Sequence, residues 1–394
     1  MDRLAVQIGA GNIGRGFIAQ LFYESGYQVH FVDADRVLVD RLNLLGEYDI
    51  EIAAQPALPS NHIANFYAHH ASEVPAMADV LARASIAAIS AGANAQPAIA
   101  KMLAAALSDR LRGAAPPLNI LICENPPGGA AAFCVDVRSH LETALHAAFD
   151  TRIAFVDTVV GRMVPVLGDE ARESNPLRVR VEPYCELPVD ADAILGGMPE
   201  VAHLHAESPF AFWIERKLFM HNAAHAAAAY AGYLHGHEYI HQAVVDERVR
   251  CIVEGVLNET GMALARKYGH DATGLASHAR DLLGRFENPA LRDTVERVAR
   301  DPLRKLASGE RFIRSATCCQ AQGIEPRSLA LATAAAIRYD QGSDPSAKIV
   351  QELLRDKGWD AVLNDVCGIA PGNPFAALVK ASDPAIVPGK TTRL

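Results

Sequence analysis

Short apolar runs rich in β-branched residues recur along the first third of the chain, at 4-LAVQI-8, 28-QVHFV-32, 85-SIAAISA-91, 118-LNILIC-123 and 152-RIAFVDT-158. They are apolar at successive rather than alternate positions, which predicts strands covered on both faces. Between them the apolar spacing lengthens to a helical period over 14–25, 36–45, 95–113 and 128–149. Strands alternating with helices predict a mostly parallel, doubly wound α/β sheet. Two stretches, 46-GEYDIEIAA-54 and 61-NHIANFYA-68, are more hairpin-like and predict an antiparallel insertion.

Past residue 175 the pattern changes. One more strand, 177-LRVRVEP-183, precedes a turn-rich stretch to about 208. Helical periodicity then covers 209–233, 238–268, 274–287, 290–300, 325–339 and 344–356. The expected organisation is an α/β domain over 1–200, an all-α domain over 201–370, and a loosely packed tail over 371–394, where Pro and small residues dominate. At 394 residues, two domains are also what length alone predicts.

Composition narrows the function. The net charge of −9 opposes a nucleic-acid partner, whose phosphates need a basic surface. No run of eighteen apolar residues offers a membrane span, and the start, MDRLAVQIGAGNIG, lacks the features of a secretory signal. Seven scattered Cys without CxxC spacing read as reduced thiols of a cytoplasmic protein.

Gly9-Ala10-Gly11-Asn12-Ile13-Gly14 is a GxGxxG that follows a predicted strand and opens a predicted helix. That context makes it a dinucleotide-binding fingerprint of the Rossmann type rather than a chance spacing. The first Gly permits the turn, the second admits a pyrophosphate against the backbone, and the third lets helix and strand pack closely. Asp33, at the end of the second strand, suits ribose hydroxyls and repels a 2′-phosphate, so the expected cofactor is NAD. Arg36 is close enough to soften that preference, although a helix-surface Arg is the plainer reading. Glu124 and Asn125 end another strand, where ligands meet such sheets; strand-end turn chemistry explains them equally well.

The apolar helix 215-ERKLFMHNAAHAAAAYAGYLHGHEY-239 carries Lys217, Asn222 and His225. At about 100° per residue Asn222 and His225 lie within about 140° of Lys217, so all three can face one cleft. A Lys with its pKa lowered by apolar surroundings is a general base for a hydroxyl, and Asn and His can hydrogen-bond the resulting oxygen. Taken alone, the helix is also compatible with a snorkelling Lys, a locally bonded Asn and a satisfied core His. His237 and His241 have a metal-type spacing, but no third ligand accompanies them, so no metal is expected. The run 292–314 concentrates Arg297, Arg300, Arg304, Lys305, Arg311 and Arg314, a source of cations for an anionic substrate or simply a charged helix face. Arg162 either faces a cleft or pairs with an acid.

Several stretches together, 8-IGAGNIGRGFI-18, 122-ICEN-125, 155-FVDTVVGRMVP-165, 215-ERKLF-219 with Asn222 and His225, 284-GRFENPALRDTVERVARDPLRKL-306 and 309-GERFI-313, resemble the zinc-independent, long-chain polyol (mannitol) dehydrogenase/reductase family in its sugar-phosphate branch. The resemblance runs from about residue 4 to about 365. It implies an N-terminal Rossmann domain, a helical C-terminal domain with the active site between the two, and NAD-linked interconversion of D-mannitol 1-phosphate and D-fructose 6-phosphate. It implies Lys217 as the catalytic Lys, Asn222 and His225 as its partners, and Asp157 at the position where relatives place a second Asn. Arg304 and Lys305, in the family-like PLRKL segment, become the expected phosphate ligands. The expected partner is a small polyol or sugar phosphate, acted on by a monomer or small homo-oligomer. A dehydrogenase for another polyol, polyol phosphate or sugar acid stays open, as does a non-catalytic NAD-binding regulatory module.

Overall fold

A computed structural model describes residues 3–124, 129–165 and 175–386. The chain divides into two compact units, Met1–Trp213 and Ile214–Leu394.

In the first unit six strands form one sheet in the order β5-β2-β1-β6-β7-β8, every neighbouring pair parallel. They are β1 Leu4–Ile8, β2 Gln28–Asp33, β5 Phe66–His70, β6 Ile86–Ile89, β7 Leu118–Ile122 and β8 Ile153–Asp157. Each face of the sheet is covered, one around Phe17, Phe22 and Phe31, the other around Leu103, Leu107 and Phe149. Burial on both faces is why these strands lack polar alternation. The predicted insertion is β3 (Glu47–Ile52) paired antiparallel with β4 (Asn61–Ala64), and β9 (Val179–Val181) extends it along β3. Residues 66–68, expected in the insertion, instead enter the main sheet as part of β5. Asn65 makes the break at φ 55, a left-handed conformation that Asn tolerates. A pair of short parallel strands, β10 (Leu187–Asp190) and β11 (Leu204–Glu207), closes the unit's list. The single helix expected over 128–149 is two, Gly129–Ser139 and His146–Arg152. Ser139 ends the first by turning its hydroxyl back to the Asp136 carbonyl, 2.7 Å away.

Among the described residues of the second unit, every named element is a helix. Its centre is Ala223–Leu234, almost wholly buried and packed against the helices Glu247–Tyr268, Val295–Ala299 and Arg327–Ile337. Alanines make that crowding possible. Gly232 approaches Ala243 so closely that a Cβ on it would lie 2.6 Å from the Ala243 Cβ. The reading of 238–268 as one helix fails at Asp246, whose carboxylate accepts from the Arg248 amide and starts a new helix at Glu247. Within 290–300 only Val295–Ala299 is α-helical. Helices Pro302–Leu306 and Arg311–Ala321 lie outside the ranges marked by helical periodicity, within the all-α domain expected there. The tail is corrected too: Pro374–Ile386 is a helix lying on Arg327–Ile337, with Phe375 and Val379 buried. Its apolar residues recur at helical spacing, a signal the neighbouring prolines masked.

Candidate active site

The first unit presents its crevice where the strand order reverses, outside the carboxyl ends of β1 and β6. Gly9 sits at φ +89, where any Cβ would meet the Ser90 backbone at 2.7 Å. The buried Gln7 amide braces this turn, donating to the Gly9 carbonyl at 3.0 Å and to Ser90 Oγ at 2.9 Å. Gly11 has nothing within 4 Å of where its Cβ would be, so the backbone there is open to a ligand. A Cβ at Gly14 would lie 2.0 Å from the Gly9 carbonyl. The helix that follows opens as a π turn over Gly14–Ile18, and Arg162 supports it rather than facing a cleft. Buried, Arg162 donates to the Gly16 carbonyl at 3.1 Å and to Gln20 Oε1 at 2.7 Å.

Asp33 accepts from the Ala10 amide at 2.7 Å through one oxygen and from the Asp35 amide at 2.9 Å through the other. Each carboxylate oxygen keeps a further lone pair for a hydroxyl donor. A cavity of about 360 Å³ opens beside it, lined by Gly9, Gly11, Asp33, Ala71, Ser90 and Met102 among others. Asn12 lines a neighbouring pocket instead, while Ile13 packs on the core. Glu124 is engaged within the protein, accepting from the Gly92 amide at 2.5 Å and from Gln96 at 3.0 Å. Asn125 lies outside the described residues. Arg36 is exposed, 3.8 Å from Glu73.

Two substitutions separate ligand space from packing here. Gly11→Ala is expected to leave the melting temperature unchanged and to weaken NADH binding. Gly14→Ala is expected to lower both, binding by about 10- to 100-fold, the equivalent of overpacking by about 1–3 kcal/mol. Fluorescence titration with NADH reads the first quantity and thermal unfolding the second; NADH binding unaltered in Gly11→Ala would contradict the assignment.

Asp157 ends β8. Its Oδ1 accepts from the Ala130 amide at 3.0 Å, at the start of the helix Gly129–Ser139. Burial raises the carboxyl's pKa; the Ala130 hydrogen bond opposes that rise, and Asp190 adds to it.

In the second unit Lys217, Asn222 and His225 occupy one continuous helical segment, but it is not a regular α-helix. Between Phe210–Arg216 and Ala223–Leu234 the chain makes a π turn over Lys217–Asn222. Hydrogen bonding from i to i+5 stacks residues five apart, which brings Asn222 round toward the Lys217 side. The angular offset expected from an ideal helix is therefore corrected, in the direction that gathers the set. Burial lowers the Lys217 pKa to about 8, and the positive charge of Arg311 acts in the same direction.

His225 stacks on Phe286, with centroids 4.9 Å apart and planes 9° from parallel. Its Nε2 stands 3.0 Å from Asp293 Oδ2, at ion-pair distance. The ring nitrogen still lacks a well-aligned hydrogen bond among the described residues. Asp293 is buried and also accepts from Arg297 Nε at 2.7 Å. Burial alone would raise the Asp293 carboxyl; His225 and Arg297 outweigh it and hold its pKa below the usual range. Asp293 is the residue that sequence reasoning missed, although it lies in the same family-like stretch, 284–306, that supplies Phe286.

Beside His225 lies a pocket of about 410 Å³ whose cationic lining among the described residues is Arg297, Arg300, Arg304, Lys305 and Arg311, with Asp301 the one carboxylate among them. Arg304 and Lys305 both line it, yet both are occupied. Arg304 pairs with Asp301 at 3.1 Å and Glu310 at 3.4 Å, and Lys305 Nζ donates to the Arg300 carbonyl. Arg314 does not line this pocket and instead contacts Glu215 at 3.1 Å. His237 bonds Asp246 at 3.0 Å. No cluster of three or more His, Cys, Asp or Glu fit to hold a metal occurs among the described residues.

The profile of the mannitol dehydrogenase Rossmann domain matches residues 3–203, and that of the mannitol dehydrogenase C-terminal domain matches residues 210–379. The chain belongs to the mannitol dehydrogenase family. Within that family it is 37% identical to the mannitol-1-phosphate 5-dehydrogenase of Brevibacillus brevis over 377 residues, covering 96% of each chain. It is 36% identical to that of Bacillus subtilis, covering 95% of this chain and 98% of the relative. Among solved structures it shares the fold of Pseudomonas fluorescens mannitol 2-dehydrogenase, in a ternary complex with NAD and D-mannitol, with a TM-score of 0.73 and 19% identity over 98% of this chain and 92% of that one. A substrate-free D-sorbitol dehydrogenase matches with a TM-score of 0.78 at 16% identity, covering 98% of this chain and 95% of that one. No helix of this family member, among its described residues, is long and apolar enough to cross a membrane.

Proposed function

We propose that this chain is an NAD-dependent polyol-phosphate dehydrogenase interconverting D-mannitol 1-phosphate and D-fructose 6-phosphate. The observation that carries this reading is a Lys of lowered pKa on a π turn with Asn222, close to a pocket lined by His225 and five cations. The relatives named above for that activity cover nearly the whole chain.

The first unit's residues fit NAD. The opening at Gly11 admits the pyrophosphate, the helix N-terminus favours its charge, and Asp33 receives the ribose hydroxyls. When bound, NAD supplies the acceptor or donor of the hydride. Neutral Lys217 takes the proton from the hydroxyl being oxidised, and in the reverse direction its ammonium returns a proton to the carbonyl oxygen. Asn222 and His225 hydrogen-bond that oxygen as its charge develops. Asp293 orients the imidazole. Asp157 is proposed as a further hydrogen-bonding group for the reacting oxygen. The basic pocket takes the phosphate.

Seven free thiols and a net charge of −9 support a cytoplasmic enzyme without a nucleic-acid partner, working as a monomer or small homo-oligomer.

The test is NADH oxidation with fructose 6-phosphate, beside free fructose and a panel of uronates. Turnover confined to fructose 6-phosphate is the expected result. Turnover on another ketose or keto acid alone would keep the base and remove the substrate, while NADH binding with no turnover on any of them would make the chain a binding module.

A further inference from the structure

Five cations line the basic pocket, but they are not equally available. Arg297 is held by Asp293, Arg304 by Asp301 and Glu310, and Arg311 by Glu310 at 3.0 Å. Lys305 is buried against the Arg300 carbonyl. Arg300 is exposed, and its guanidinium has no ion pair or hydrogen bond among the described residues.

The backbone around Arg300 is unusual. It lies at a corner between the helices Val295–Ala299 and Pro302–Leu306. Asp301, the next residue, is at φ +63, a left-handed conformation that costs free energy and persists only where the surroundings enforce it. The peptide unit joining Arg300 to Asp301 is gripped on both sides. Its carbonyl accepts from Lys305 Nζ, and its amide donates to Asp344 Oδ2 at 2.8 Å. Asp301 is held as well, its carboxylate accepting from Ser346 Oγ at 3.0 Å. The result is a strained corner, fixed at its backbone, that ends in the one pocket cation whose charged group has neither a carboxylate nor a carbonyl partner among the described residues.

We infer that Arg300 is the residue that selects a phosphorylated substrate, and that Lys305 is a positioning residue that fixes the Arg300 backbone instead of binding the phosphate itself. This rests on the proposed phosphate-bearing substrate and deepens it. A guanidinium already matched to a carboxylate has little to gain from a second anion. An unmatched one gains a charge-assisted, bidentate contact, and its planar fork fits a phosphate.

The experiment compares wild type, Arg300→Gln, Arg300→Lys, Arg304→Gln, Lys305→Met and the double variant Arg300→Gln/Lys305→Met with fructose 6-phosphate and with free fructose. Each protein is also titrated with inorganic phosphate in the presence of NADH, with thermal stabilisation as the readout. Arg300→Gln, an exposed change that leaves the fold intact, is expected to raise KM for fructose 6-phosphate by about 10- to 100-fold with kcat little altered. It should also abolish stabilisation by inorganic phosphate, and Arg300→Lys should recover part of both. Lys305→Met should raise the same KM, and the double variant should be no worse than Arg300→Gln alone, because the two act as one unit. Full phosphate stabilisation in Arg300→Gln, or a larger loss in Arg304→Gln, overturns the assignment to Arg300. Additive losses in the double variant overturn the positioning role of Lys305. Wild type that prefers free fructose yet is stabilised by inorganic phosphate, with that stabilisation lost in Arg300→Gln, removes the proposed substrate and leaves Arg300 as an anion ligand.

Discussion

Lys217→Met is expected to lower kcat/KM for ketose reduction by about 10²- to 10⁴-fold, the usual worth of a positioned proton donor, while leaving NADH affinity unchanged. The pH profile follows from a pKa of about 8. Reduction needs the ammonium and should fall as pH rises through that value. Oxidation needs the free amine and should rise through it. Both limbs should vanish in the variant, leaving only the flat residual rate. The same substitution should raise the melting temperature at neutral pH. A Lys whose pKa is lowered from 10.5 to about 8 binds its proton less tightly folded than unfolded. Its cost to stability is therefore full below about pH 8, shrinks as pH rises through the window, and is gone above the unfolded value. Thermal unfolding of wild type and variant at pH 7 and again above pH 10.5 measures this, and a variant less stable at pH 7 would contradict the desolvated base. Activity here is obtained at the expense of stability, a common bargain at enzyme sites.

Asn222→Ala is expected to lower kcat by about 10²- to 10³-fold, the range seen when one donor to a developing oxyanion is removed. KM should change little, because the hydrogen bond strengthens only as charge builds on the oxygen. Steady-state kinetics on Asn222→Ala and Asn222→Asp decide the matter. A loss confined to KM would make Asn222 an ordinary substrate contact.

Parts of this molecule can be read from local sequence because local physics determines them. The turn from Gly9 to Gly14 and the acid at Asp33 belong to one strand-turn-helix-strand unit, and steric demands on each Gly leave a compositional trace. The polar trio on an apolar helix is visible for the same reason. The slip from i+4 to i+5 bonding at Lys217 has no such trace, since the residues involved suit either kind of turn. Asp293 reaches His225 from 68 positions along the chain, and in sequence it looks like one more member of a charged run. The roles of Arg300, Arg304 and Lys305 depend on which carboxylates and carbonyls fold against them, so neighbouring cations of similar appearance end in different employment. The helix at Pro374–Ile386 was hidden by its flanking prolines, although its buried Phe375 and Val379 had the right spacing.

The π turn at Lys217–Asn222 has a consequence for how this helix can change in length. Such a turn is an α-helix carrying one surplus residue. Removing a single codon from that stretch would relax it into a more regular helix, with each backbone bond restored to its commonest partner. Positions beyond the deletion would keep their facing relative to Lys217, because seven α-helical positions turn about 700°, within about 20° of the starting direction, and His225 would stay on the side of the base. The surplus residue is thus absorbed locally, and a one-residue deletion between Lys217 and Asn222 is the change of length this helix should tolerate best.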